Sequence, residues 1–321
     1  MISLEKHQKI TDFQEGQDIV DFFLVREKSE RKKKNGDTYL SLELSDASGK
    51  INGKIWDRAE EFSALFQKGD IVKVMAAVST YRGNNELHIN RIRGTSEEDN
   101  VRPEDFYPSS PYSSKEMYRE LREILLTVED EDIRKLIQTF FDDTAFSEAF
   151  QKSVAARNLH HPYLSGLLEH TLSVVRICDF LASHYPDINR SLLLAGALFH
   201  DIGKISELNS GADMDYSTQG ILKGHMVIGH EILSRIIDSL GEFPKEKRML
   251  LEHMVLSHQG EREWGAPVVP MTREALLLHF ADNMDAKEFI FRDAVNTDKS
   301  DSEFTEKVFS MGRKVYKGSR S

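Results

Sequence analysis

The sequence predicts a small closed β-barrel followed by an all-α helical bundle. Three observations carry this. Short runs of alternating polar and apolar residues are confined to the first 95 positions. Residues 94–114, "GTSEEDNVRPEDFYPSSPYSS", are polar and hold three of the eight prolines. Beyond them every long segment repeats at the helical period.

Taken in order, "DIVDFFLVREKSE" supplies a first strand. "DTYLSLELSD" places Leu40, Leu42 and Leu44 on one face and Tyr39, Ser41 and Glu43 on the other, as a half-buried strand requires. After the turn "ASGK", "INGKIWD" alternates Ile51, Gly53 and Ile55 with Asn52, Lys54 and Trp56. "GDIVKVMAAVSTYRGNNELHINRIR" gives two further strands about an "RGNN" turn. About five short strands suit a small closed barrel. Helical periods then run through "SKEMYRELREILLTV", "EDIRKLIQTFFDD", "LLEHTLSVVRICDFLASHY", "RSLLLAGALFHDIGK", "GHMVIGHEILSRIIDSL", "PKEKRMLLEHMVLSH" and "TREALLLHFADNMDAKEFIF". The expected boundaries are a barrel over 1–95, a linker over 96–114, a helical domain over 115–306 and a basic tail over 307–321.

With 321 residues, 40% hydrophobic and 30% charged, the chain has the composition of an ordinary globular protein of two domains. The start, "MISLEKHQKI", has no apolar signal core, and no apolar run approaches a membrane span. The single Cys178 allows no internal disulfide and reads as a buried thiol. These features fit a reducing cytoplasm. The net charge of −11 argues against a simple basic nucleic-acid binder. Residues 12–93 balance at 14 basic and 14 acidic, whereas residues 94–306 carry 21 against 38, and the last fifteen carry five basic residues and no acid. An acidic body can bind a phosphate polymer when metal ions neutralise its site.

The helical segments meet that condition. His170, the pair His200-Asp201, His225, His258 and Asp282 each fall on a different predicted helix or its end. A bundle can turn such side chains into one interior site. Four imidazoles and two carboxylates suit Mn²⁺, Fe²⁺, Co²⁺ or Zn²⁺; they do not suit Ca²⁺, and the lack of thiolates excludes a structural zinc knot. His253 competes with His258. The two lie five residues apart, about 140° around a helix, so they do not share a face. His258 is preferred because it precedes the loop "QGEREWGAP". Lys204, one turn after the pair, is placed to offset charge on phosphoryl oxygens; a surface lysine is the plain alternative. His279 and Asp285 flank Asp282 by a turn, and are read as supporting or merely packed groups.

This ordered set, with "HHPYLSGLLEHTLSV", "LFHDIGK", "GHMVIGHEIL" and "LSHQGEREWGAP", resembles the HD-domain metal-dependent phosphohydrolases over residues 155–290. Within them it resembles the YhaM-type 3′–5′ exoribonucleases, which join an N-terminal OB-fold to an HD domain. The resemblance implies that His170, His200, Asp201 and Asp282 hold one metal. It also implies that Asp201 bridges to a second metal held by His225 and His258. Asp201 and Lys204 would then be the catalytic centre. Two such ions, Mn²⁺ foremost, would activate water and stabilise both the attacking and the leaving oxygen. The implied activity is removal of 5′-mononucleotides from the 3′ end of single-stranded RNA, with single-stranded DNA as a second substrate. His160 and His161 precede the first ligand helix, and His161 is taken as a substrate contact. The rivals are an HD hydrolase of small nucleotides, and a nucleic-acid-binding protein with a silent metal site. "WGAP" stands where the cyclic-dinucleotide branch has a Gly-Tyr-Pro element.

On the barrel, Tyr39, Lys54 and Trp56 share the polar face of adjacent strands, where bases can stack over a basic groove. "RKKK", with Lys32, Lys33 and Lys34, is expected in the preceding loop to track phosphates; a solvated hairpin tip is the alternative. The basic tail has three readings: RNA contact, docking on a neighbouring subunit of a homo-oligomer, or disorder.

Overall fold

The computed structural model describes residues 7–33, 36–81, 83–101, 106–107, 109–156, 163–208 and 216–318. The chain divides into two compact units that meet in sequence at Ser109 and Ser110.

The first unit is a closed barrel in the order β1-β2-β3-β5-β4. Its strands are β1 (Asp18–Lys32), β2 (Thr38–Ser45), β3 (Lys50–Ile55), β4 (Ile71–Tyr81) and β5 (Asn84–Gly94). The long β1 closes it. Its first half pairs with β4 and its second with β2, and a register shift between Val25 and Glu27 turns the strand from one neighbour to the other. The alternation seen in the sequence sets the facing: Leu40, Leu42, Leu44, Ile51 and Ile55 are buried with Phe23, Val74 and Leu87. Gly53 lies against the Ile89 side chain, whose Cδ1 would have to shift to admit a Cβ 2.7 Å away. A short helix, α1 (Ala59–Ser63), follows β3.

Part of the stretch expected as linker is ordered on this unit. Asp99 accepts from Arg93 Nη1 and Nη2 at 2.7 and 2.8 Å, and Phe106 and Tyr107 are buried. Arg31 and Lys32, expected in a loop, instead extend β1 opposite Tyr39 and Thr38. Lys34 lies outside the described residues.

The second unit is helical: α2 (Ser114–Leu125), α3 (Glu131–Asp142), α4 (Thr144–Lys152), α5 (Gly166–His184), α6 (Arg190–Phe199), α7 (Lys204–Glu207), α8 (Thr218–Ser239), α9 (Lys245–Ser257) and α10 (Arg273–Thr297). Side-chain oxygens of Ser113, Asp130, Asn189, Ser217 and Thr272 cap α2, α3, α6, α8 and α10, satisfying N–H groups a helix start leaves open. α5, α6, α9 and α10 enclose one core with Leu168, Val175, Leu194, Phe199, Met254 and Leu278 fully buried. Cys178 belongs to it, and burial pushes its thiol pKa up. After α10, residues 304–316 fold back on themselves through bridges Phe304–Tyr316 and Val308–Arg313. Lys317 Nζ is anchored on Asp298 Oδ1 and the Ser300 carbonyl, each at 2.7 Å. Within the described part of the tail, Lys317 thus meets a carboxylate.

Candidate metal centre

"LFHDIGK" has a local explanation. The apolar run of α6 ends at His200, its C-cap, and the chain turns through Asp201, Ile202 and Gly203 before α7 starts at Lys204. Ile202 fills the core. Gly203 touches the backbone of α8: a Cβ there would lie 1.9 Å from the His225 carbonyl oxygen. His200 and Asp201 thus face inward beneath His225, and the glycine is what lets that helix approach.

His170 comes from α5, His258 from the C-cap of α9 and Asp282 from α10; each is buried. His225 follows a break in α8 at Gly224, whose φ of 72° and ψ of 157° belong to a region nearly confined to glycine. The six side chains converge. His170 Nε2 lies 3.3 Å from His200 Nε2, 3.5 Å from Asp201 Oδ2 and 3.1 Å from Asp282 Oδ1. His200 Nε2 is 3.3 Å from Asp201 Oδ2. On the other side, Asp201 Oδ1 is 3.5 Å from both His225 Nε2 and His258 Nε2, and those nitrogens are 3.4 Å apart. Asp201 therefore belongs to two groups of potential ligands, one through each oxygen.

Partners behind the rings fix which nitrogen faces inward. His170 Nδ1 donates to Asp285 Oδ2 at 2.7 Å. His200 Nδ1 donates to the Ala197 carbonyl at 2.9 Å. His225 Nδ1 donates to Glu207 Oε1 at 3.3 Å, and His258 Nδ1 to the Val255 carbonyl at 2.7 Å. A carbonyl or carboxylate can only accept, so each neutral ring carries its proton on Nδ1 and leaves a lone pair on Nε2. Two pairs of lone pairs thus point at each other at 3.3–3.4 Å, which is unfavourable unless a cation or proton lies between them. That spacing is also the edge of a tetrahedron whose metal–nitrogen bonds are about 2.1 Å. The Asp201 Oδ1 atom is buried and makes no hydrogen bond among the described residues. An unsatisfied carboxylate oxygen is costly, and here it faces two bare imidazole nitrogens. The donor set fits divalent metal.

The charge states of Asp201, Asp282 and His258 are those of metal ligands. Burial raises the Asp201 pKa, but Lys204, His200 and the hydrogen bond from His170 outweigh it and hold the carboxyl well below its usual range. Burial likewise opposes ionisation of Asp282, yet His170 and His200 keep it low. Burial lowers the pKa of His170, but bonds to Asp201, Asp282 and Asp285 win and raise it well above that of free histidine, so a proton on its Nε2 and a metal ion are alternative occupants of the gap between the rings. Burial depresses His258, favouring the neutral ligand form. Lys204 is no surface lysine: it is buried, and its Nζ donates to Asp201 Oδ2 at 2.6 Å.

The barrel unit carries a second feature. Tyr39 and Trp56 stack with centroids 4.6 Å apart and planes 24° from parallel. Lys54 Nζ lies 5.6 Å from the Trp56 ring and 5.0 Å from that of Tyr81, and Lys33 Nζ lies 5.9 Å from Trp56. His88 meets the edge of Trp56, and Glu86 pairs with Lys54 at 2.7 Å.

Residues 167–287 match the HD domain family model, and residues 24–93 match that of the OB-fold nucleic acid binding domain. The 3′–5′ exoribonuclease YhaM of Bacillus velezensis is 34% identical over 303 residues, covering 94% of this chain and 95% of that protein. The chain belongs to the YhaM family. The YhaM proteins of Bacillus subtilis, 34% identical over 94% of this chain and 95% of that one, and of Listeria monocytogenes, 33% identical over 96% and 97%, agree.

In this YhaM-family chain, His170, His200, Asp201, His225, His258 and Asp282 come together, and Lys204 joins them. His253 does not: its Nε2 accepts from the Met271 backbone N–H at 3.0 Å, away from the cluster, as the helical angle requires. Tyr39, Lys54, Trp56 and Lys33 share one barrel face, while Lys32 is exposed at the end of β1. His160 and His161 lie outside the described residues. Sequence reasoning missed Glu207, which holds both His225 Nδ1 and, at 2.9 Å, the His225 backbone N–H. It also missed Tyr81 and His88. Only the parallel pairing of β3 with β5, invisible in a linear pattern, places His88 beside Trp56.

Proposed function

We propose that the chain is a divalent-metal-dependent exonuclease that shortens single-stranded RNA from its 3′ end and releases 5′-mononucleotides. Asp201 carries this reading: a buried carboxylate shared by two imidazole pairs, with one oxygen left unsatisfied among the described residues. We further propose that two ions, Mn²⁺ by preference, occupy the cluster. His170, His200, Asp282 and Asp201 Oδ2 would hold one, and Asp201 Oδ1, His225 and His258 the other. When bound, such a pair supplies Lewis acidity and activated water for phosphodiester hydrolysis. The chain supplies the rest. Asp285 and Glu207 orient two rings, carbonyl groups orient the other two, and Lys204 places a cation against Asp201 that can share the charge of a phosphoryl group. His225, the least buried of the four histidines by side chain, lies on the side from which substrate would approach. The Tyr39–Trp56 stack with Lys33 and Lys54 fits a sequence-tolerant single-strand platform.

A 5′-labelled oligoribonucleotide with Mn²⁺ should give a descending ladder, and a blocked 3′ end should protect it. Chelation should stop cleavage. Asp201→Asn should remove activity with helical content intact, and Trp56→Ala should weaken RNA binding on the order of tenfold. Cleavage of a circular RNA, or full turnover by Asp201→Asn, would defeat the reading.

A further inference from the structure

Trp264 has no part in the cluster, yet it is tied to it. It closes a 3-10 turn, Arg262–Trp264, that ends on Gly265 in the left-handed conformation, with φ of 94°. The turn follows His258 by four residues and is pinned by bonds from the Trp264 and Ala266 N–H groups to the Glu261 carbonyl, at 3.1 and 3.2 Å. Its indole lies 6.0 Å, centroid to centroid, from the buried His279 ring. His279 Nδ1 donates to the His258 carbonyl at 2.8 Å. Gly260 sits so close that a Cβ would come within 2.2 Å of the His279 ring. A chain of contacts thus runs from His258 through His279 to Trp264. The far side is open: Trp264 is 52% exposed, and Lys287 Nζ stands 5.5 Å from its ring.

Single exposed apolar side chains are ordinary on a protein surface; what sets the Trp264 indole apart is its connection to His258 and the cation beside it. Here it combines a flat π-face with an adjacent ammonium, the pair of groups that takes a base and its phosphate. It is tied to His258 through the His279 ring and the close approach of Gly260. We infer that Trp264 is the stacking platform for the 3′-terminal nucleobase, with Lys287 beside it to meet a backbone phosphate. This rests on the exoribonuclease reading above and adds to it how the chain end is seated. Stacking reads any base, so the site takes nucleotides by shape rather than by sequence.

The test uses the intact chain with Mn²⁺ and two 5′-labelled oligoadenylates, one ending in adenosine and one in an abasic ribose. On the first, Trp264→Ala should raise KM about tenfold, the effect of losing one base–aromatic stack, while kcat changes less than about twofold; Trp264→Phe should recover most of the loss. On the abasic strand, the ratio of KM values between Trp264→Ala and the parent should fall toward one. An equal penalty on both strands, or no penalty on either, overturns the inference. A second measurement is independent of RNA cleavage. The chain has two tryptophans, so Trp56→Phe leaves Trp264 as the sole indole. Adenosine 5′-monophosphate should quench its fluorescence and ribose 5′-phosphate should not; equal quenching or none counts against the platform. If the parent chain hydrolyses bis(p-nitrophenyl) phosphate but leaves oligoadenylate uncut, the exoribonuclease reading fails, and the fluorescence result still decides the platform.

Discussion

Asp285 and Glu207 do the same work on opposite sides of the cluster. Each accepts from the Nδ1 of one histidine, and each is held in turn, Asp285 by the Ser173 hydroxyl and Glu207 by the backbone of His225. The His225 bonds outweigh burial and keep the Glu207 pKa low. A carboxylate behind a metal-binding imidazole fixes the tautomer and raises its basicity, and removing one typically costs 10–100-fold in metal affinity. Asp285→Asn and Glu207→Gln should each lower Mn²⁺ affinity by about that factor, read by titration calorimetry on the folded protein. Unchanged affinity in both would show that ring orientation is set by packing alone. The contrast of His253 with His258 belongs here too. Both lie near the end of α9, but only His258 reaches the interior, where burial strips its proton.

The break in α8 decides where His225 points. Thr218–Lys223 and the helix after it meet at Gly224, in backbone geometry that any side chain finds strained by on the order of 1–3 kcal/mol. Two other glycines clamp the same element. A Cβ at Gly203 would strike the His225 carbonyl, and one at Gly220 would lie 2.2 Å from the Glu207 carbonyl oxygen. Gly224→Ala has open space around its Cβ, so its effect is backbone strain alone. It should lower the melting temperature of the helical unit and reduce bound metal, both measurable on one sample by calorimetry and metal analysis. If melting and metal content both match the parent, the break does not position His225. Gly203→Ala should be worse, since contact and not strain opposes it.

Across the whole molecule, acidity acts on the barrel through its N-terminal fastening. His7 Nδ1 meets Asp21 at 2.7 Å and Nε2 meets Asp46 at 3.1 Å, while Ile10 N–H donates to Asp46 at 2.8 Å. Bonds to Asp21 and Asp46 raise the His7 pKa from 6.5 to about 9 against the opposing effect of burial. A raised histidine pKa stabilises the fold fully below its unfolded value and loses that contribution as pH rises. The barrel should therefore lose stability between pH 6.5 and about 9. Asp46 works at the other end. Burial alone would raise it, but His7 and Ser48 bring it to about 2, so its contribution disappears as pH falls from 3.8 through that value. Thermal melts across pH, with His7→Ala for comparison, check this. The upper slope should flatten in the variant, and a slope unaffected by it would assign the effect to another group.

The alternation of Leu40, Leu42 and Leu44 and the helical periods after residue 114 settle the two fold types, because burial of one face is a local property of period. The order H…HD…H…H…D marks candidate ligands for a related reason: each lies at a helix end or on an inward stripe, positions that periodicity exposes. Where period gives no signal, the tertiary structure decided. Glu207 reads as an ordinary acid in a short helix until α8 packs on it. His88 reads as a strand residue until β3 and β5 pair. Lys204 reads as a lysine placed to offset phosphoryl charge, with a surface role as the alternative, and the turn after α6 folds it onto Asp201. These are contacts between residues distant in sequence or brought together by a tight turn, where proximity depends on chain closure and not on composition. The sequence by itself determined which residues are able to bind metal. The tertiary structure decided that one carboxylate would serve both imidazole pairs, since packing α5, α8 and α9 around the α6 turn, with Gly203 admitting α8, brings all four rings around Asp201.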